Sequence, residues 1–191
     1  TKVLLTDAEA RVPLPAPGVA VVVNAGGHGF FRVAYDDGLR SRIDESTLAA
    51  LTVLDRYNLV SDSWAAVVAG RLDAAAFVDV ARRFSNESAL AVWQAIDSGL
   101  RAIDRLLDGA SRDAFRAIVR DLAGPALARL GWTPRPDETQ LDAQLRGLLV
   151  QMNALTGADP AIAERCRELF ALVLDAPERI DADLAAAVTV V

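Results

Sequence analysis

The chain has one histidine, His28, between Gly27 and Gly29, and one cysteine, Cys166. These two side chain types do much of protein chemistry, so what they could do here is the first question. A helical zinc hydrolase carries two histidines four residues apart with a glutamate beside the first, because both must reach the ion from one helix face. One histidine cannot supply that pair. His28 therefore reads as a residue of a glycine-rich turn, the alternative being a contact for something outside the chain. The run Gly26-Gly27-His28-Gly29 is a fragment of a dinucleotide fingerprint. Its full spacing is missing, and the element after it reads as a strand, where phosphate binding needs a helix N-terminus. No Gly-x-Ser-x-Gly elbow is present for a serine nucleophile. Cys166 falls at an apolar helical position and reads as a small buried hydrophobe. Asp36 with Asp37, and Asp181 with Asp183, read as turn and helix-capping residues, and Arg82 with Arg83 as a solvated face.

Composition narrows the field further. A length of 191 residues suits one large domain or one and a half small ones, and 52% hydrophobic residues are enough for a real core. Aromatics are only 6%, and alanine and leucine carry most of the apolar weight, which favours helices. Net charge is −6, and no basic run is longer than Arg82 and Arg83. A polyanion needs a concentrated cationic face, so nucleic acid is not an expected partner. The longest apolar runs, 18–23 and 184–191, are far shorter than the roughly 20 residues that cross a bilayer. No membrane is expected, no internal disulfide is possible with a single cysteine, and cytoplasmic residence fits. The chain opens at Thr1 in mid-pattern and closes at Val191 in an apolar stretch, so the expectation is a piece of a longer protein.

The elements that would position these residues change period partway along. Residues 3–6, 11–14, 19–24 and 30–35 read as strands, with Pro13, Pro15, Pro17 and Gly18 marking a loop and 25–29 joining the last two as a hairpin. After Gly38 the pattern is helical. Stretches at 47–53 and 59–69 come first, the second closed by Gly70. Asp73 opens a helix with Phe77, Val80, Ala81 and Phe84 inward. Ser85 or Asn86 opens another with the stripe Trp93, Ile96, Leu100, Ile103 and Leu107. Ser111 precedes Phe115, Ile118, Val119 and Leu122, after which Gly124 and Pro125 predict a kink or break. Gly131 stops that segment. Leu141, Leu145, Leu148, Leu149, Met152 and Leu155 mark the next helix. Asp159 and Pro160 are an N-cap followed by proline at the first helical position. Asp181 or Asp183 opens a last helix. The sum is seven or eight helices with short links, arranged as an irregular solenoid or a simple bundle.

Four motifs then fall in order. Residues 21–37, "VVVNAGGHGFFRVAYDD", resemble the segment that ends a small β-sandwich domain in the aminopeptidase N-like (gluzincin) family of zinc metallopeptidases. The positions that carry the likeness are Asn24, Gly29, Phe30, Phe31, Arg32, Val33, Tyr35 and Asp36. Residues 54–72, "LDRYNLVSDSWAAVVAGRL", resemble the opening helix pair of that family's C-terminal helical domain, through Arg56, Leu59, Asp62, Trp64, Ala69, Gly70 and Leu72. Glu87 followed by Trp93 is a third match, and Leu130-Gly131-Trp132 with Leu145-Arg146 a fourth.

The resemblance implies a mainly α fold: an irregular α-solenoid of HEAT-like helical hairpins, preceded by a short β segment. Residues 1–36 would be the C-terminal strands of a β-sandwich domain, and 37–191 the N-terminal part of a truncated C-terminal helical domain. It implies zinc-dependent removal of N-terminal residues from peptides by the whole enzyme. Zinc, the motif for the free amino terminus and the catalytic tyrosine belong to an earlier domain. No catalytic or metal residue is carried onto this chain, which is expected to be inactive alone, and no substrate-binding residue is assigned. In the family the helical domain forms a bowl that closes over the active site and restricts access. The implied partners are the catalytic and sandwich domains of the same protein and peptide substrates, with self-association of the isolated chain through edge strands or the last helix. Arg56 and Asp62 are expected to form a structural ion pair across a helix turn, the alternative being contact with substrate, Arg32 to tie the sandwich to the first helices, and Trp64 and Trp93 to lie in the core. The alternative class is a self-standing helical-repeat interaction module. The apolar stretch 183–191 argues against it, because a terminal repeat needs a polar outer face.

Overall fold

Short polar side chains start most of the helices. In the computed structural model, which describes residues 2–4 and 6–191, Asp36 accepts the Leu39 N–H and opens α1 (Asp37–Ser41). Asp44 accepts the Thr47 N–H and opens α2 (Glu45–Ala50). Reciprocal capping boxes, Thr52 with Asp55 and Thr139 with Asp142, open α3 (Val53–Val68) and α7 (Gln140–Gln151). In such a box the two side chains satisfy two of the N–H groups a helix start leaves unpaired. Asp159, with Pro160 at the first helical position, opens α8 (Pro160–Asp175), and Asp181 opens α9 (Ala182–Val190). The remaining helices are α4 (Ala74–Arg82), α5 (Leu90–Asp104) and α6 (Gly109–Leu130). Asp73 stands at the N-cap of α4 without a side-chain bond. Neither Ser85 nor Asn86 starts α5, whose N-cap is Ala89. Nine α-helices thus form among the described residues, where seven or eight were expected.

Among the described residues there is no strand. The expected strands at 11–14, 19–24 and 30–35 are turns and irregular backbone. The one at 3–6 includes Leu5, which with Thr1 lies outside the described residues. A strand needs a partner for its backbone groups. Several groups of the 19–35 stretch are instead taken up by side chains, as with Val23 N–H on the Tyr35 hydroxyl at 2.9 Å.

The helices pack in a regular order. α3 lies against α5, α5 against α7 and α7 against α9. α4 sits on α3 and α5, α6 on α5 and α7, and α8 on α9. Among the described residues α4, α6 and α8 make no comparable packing with one another. The core between the rows holds Phe77, Trp93, Ile96, Leu100, Val119, Leu149 and Met152. Each such side chain taken out of water contributes about 1.5–3 kcal/mol. Gly99 permits the close approach of α5 to its neighbours: a Cβ there would lie 2.4 Å from Phe77 Cζ and 3.2 Å from Trp64 Cε3. α6 runs unbroken through Pro125, contrary to the break expected there. Ala123, Ala126 and Leu127 are buried on both sides of the proline, and α6 packs on α7 and on the π-helical turn Met152–Thr156 that follows it. Tertiary packing therefore outweighs the lost hydrogen bond.

Candidate functional site

The segment around His28 folds onto itself before it touches a helix. Asn24 adopts φ 60°, in the left-handed region that asparagine tolerates. From there its side chain bonds Gly29 twice, accepting from Gly29 N at 2.6 Å and donating to Gly29 O at 2.9 Å. The closed loop rests on the start of α3. Asp55 Oδ1 accepts from Gly26 N at 2.6 Å, while Gly27, at φ 66°, passes so close that a Cβ would lie 2.9 Å from Leu54 Cδ2. Two turns along α3, Asp62 accepts from Val33 N at 3.1 Å and from Arg32 Nη1 at 2.8 Å, and Arg32 also reaches Ser61 Oγ at 2.8 Å. His28 is exposed. Phe30 projects fully into solvent and Phe31 is more than half exposed.

The structure re-pairs the residues singled out in the sequence. Arg56 and Asp62 do not pair with each other. Asp62 takes Arg32, and Arg56 crosses to Glu87, with Nε on Oε2 at 2.6 Å and Nη2 on Oε1 at 3.1 Å. Arg56 and Asp62 stand six residues apart on α3, about 9 Å along the axis and on different sides of it, so they do not meet. Arg32 joins the preceding segment to α3, though the strand expected to carry it is irregular backbone. Arg56 Nη1 also donates to Leu51 O at 2.7 Å. Glu87 Oε1 accepts from Ser88 and Ala89 N–H, both at 2.8 Å, and so caps the start of α5. Trp93 Nε1 donates to Glu87 O at 3.1 Å, which ties together the two residues of that sequence motif. Burial pushes the Glu87 carboxyl up, but the Arg56 guanidinium and the two N–H groups outweigh it and hold the carboxyl below the usual range. Trp93 is fully buried, and Trp64 packs on Phe77 with ring centroids 5.2 Å apart. Cys166 is buried, and burial raises its thiol.

Other residues take roles that the sequence reading did not assign them. Arg83 is not a solvated cation: its Nη1 donates to Arg40 O at 2.6 Å and Ile43 O at 2.8 Å, holding α1 and the link that follows it to the end of α4. Arg146 is wholly buried, with Nε on Gly131 O at 2.9 Å and Nη2 on Glu138. Asp55 carried a legible signal, the Thr52-x-x-Asp55 spacing of a capping box. Glu138 carried none, since it lies in an irregular loop. Between α5, α7 and α9 a trough of about 290 Å³ is lined by Leu90, Gln94, Gln144, Leu148, Gln151 and Asp183, among others. Three carboxamides can donate and accept, and Asp183 is the one charged side chain among the trough's lining residues.

A hydrolytic metal needs a convergent donor set. Among the described residues no three His, Cys, Asp or Glu side chains gather to hold one. The carboxylate that takes the backbone of the His28 loop, Asp55, is already engaged by Thr52 and Gly26. The donor set here does not fit zinc, and no reaction step runs through it. Nor is any helix among the described residues long and apolar enough to cross a membrane.

A mainly helical domain of packed rows, cross-linked by buried ion pairs, is the class these observations define. The chain belongs to the ERAP1-like C-terminal domain family, whose model matches residues 20–191. It is 32% identical over 151 residues to the puromycin-sensitive aminopeptidase of Caenorhabditis elegans, covering 77% of this chain and 16% of that protein. It is 29% identical over 164 residues to aminopeptidase M1 of Arabidopsis thaliana, covering 81% and 18%. With tricorn protease-interacting factor F2 of Thermoplasma volcanium the identity is 30% over 156 residues, covering 82% and 19%. The chain thus spans under a fifth of the length of each of these relatives.

Proposed function

We propose that this chain is the helical C-terminal portion of a zinc-dependent aminopeptidase that removes N-terminal residues from peptides. In this reading the chain cleaves no bond itself, and it closes over an active site built by an earlier domain. The observation that carries the reading is the match of a C-terminal domain family across nearly the whole chain. Zinc belongs to the catalytic domain, and the partners are that domain, a β-sandwich domain and peptide substrates. Residues 1–36 complete the sandwich, where their backbone groups find strand partners, and 37–191 begin the helical domain. Cytoplasmic residence follows from the same reading.

The order of packing supports a solenoid of helical hairpins. α3, α5, α7 and α9 form one continuous row, while α4, α6 and α8 stand apart from one another. An array that is tight on one row and open on the other curves toward the tight row, so α3, α5, α7 and α9 line the concave side. The trough with Gln94, Gln144 and Gln151 lies on that side and faces the chamber. Size exclusion by the bowl then limits substrates to peptides.

The test is hydrolysis of an aminoacyl reporter by the purified chain. The expected result is no release beyond background, with or without added zinc. Zinc-dependent release that a chelator abolishes would overturn the reading.

A further inference from the structure

α3 offers one side to the segment that precedes the helices. Leu54, Asp55, Asn58, Ser61 and Asp62 recur at helical spacing along it. All five meet residues 26–33: Leu54 and Asn58 beneath Gly27, Asp55 on Gly26 N, Ser61 on Arg32, and Asp62 on Val33 N and Arg32. The two carboxylates stand seven residues apart, about 10 Å along the axis. Each is buried, and each accepts a backbone N–H from the segment. Losing a donor from a buried carboxylate is costly, so each contact resists release. Between the two anchors lie Phe30 and Phe31, exposed although the backbone that carries them is fixed at both ends and closed by the Asn24 side chain.

We infer that Asp55 and Asp62 form a two-point latch that holds residues 24–33 as one rigid strap and fixes the direction in which Phe30 and Phe31 are presented. The latch is cooperative: releasing the Asp62 end frees the Asp55 end as well. It acts as a conformational device set into the first long helix, and it stands independently of the enzymatic reading.

NMR-detected amide hydrogen exchange on the whole chain tests it, with the Gly26 and Val33 amides as the readout. Asp62→Ala removes the far anchor and leaves the Thr52–Asp55 capping box in place. The expected result is a rise of about tenfold or more in exchange at both Gly26 and Val33, with the amides of α5 unchanged. Arg32→Ala weakens the same end through a side chain that is mostly exposed, so it decides the matter if Asp62→Ala loses its fold. There the Gly26 amide is again expected to exchange faster. Unchanged protection at Gly26 in a folded variant means the two contacts are independent and overturns the latch.

Discussion

Glu87 keeps its charge in a place where charge is expensive. Its side chain is 2% exposed and that of Arg56 is 18% exposed, and the pair spans 31 residues of sequence. Removing the charge while keeping the shape leaves the guanidinium half-answered. Glu87→Gln is therefore expected to cost about 2–4 kcal/mol, read as a lower urea midpoint with an unchanged slope. The pair also sets a pH dependence. The folded Glu87 carboxyl lies below its unfolded value, so its stabilisation is complete above about pH 4.3, the ordinary glutamate value. It fades as pH falls through the lower folded value. Asp55, held low chiefly by the Thr52 hydroxyl, and Asp104, held low chiefly by Arg112, act in the same direction. Asp97 acts in the opposite one. Burial raises it despite Arg101, and its Oδ1 has no hydrogen-bond partner. Its negative charge is a cost at neutral pH, so Asp97→Asn is expected to gain up to about 1 kcal/mol at pH 7. That gain should shrink toward pH 4, and chemical denaturation at both values checks it. Glu87 and Trp93 stood out in the sequence as a pair, but their link through an indole N–H and a backbone carbonyl was not legible. Nor was the choice of Glu87 over Asp62 by Arg56, because which cation meets which carboxylate is decided by how α3 and α5 are docked.

At the scale of elements, existence and type were largely readable and continuity was not. Gly70, Gly131, Asp159 with Pro160 and Asp181 terminate or start helices as their chemistry dictates. Pro125 misled, because a proline's local penalty was weighed without the burial of Ala123, Ala126 and Leu127 around it. Pro125 is itself exposed, so Pro125→Ala restores a helical N–H without disturbing a contact. It is expected to stabilise by about 1–3 kcal/mol, visible as a higher Tm. Gly99→Ala goes the other way. Alanine suits a helix better by up to about 1 kcal/mol, but its methyl would displace Phe77 and crowd Trp64. The expected net loss is about 1–3 kcal/mol, with a changed near-ultraviolet dichroism from the Trp64–Phe77 pair. The strand pattern at 19–35 was real as a pattern of β-branched and aromatic residues. Among the described residues that stretch folds instead as turns and irregular backbone, held by Asn24, Asp55 and Asp62.

For the molecule as a whole, the sequence carried the family likeness and the helical body, because four motifs in order constrain more than any one of them. The packing order was legible only in outline. Period and short links say that successive helices are neighbours, but not that α3, α5, α7 and α9 form the continuous row. That asymmetry between rows has a mechanical side. A strip whose one face is nearly inextensible and whose other face has gaps flexes by opening or closing those gaps. Side chains wedged between α4, α6 and α8 would bend it further, and bulk removed there would let it relax. The curvature of the helical body is then adjustable through α4, α6 and α8, by substitutions that never touch the continuous row.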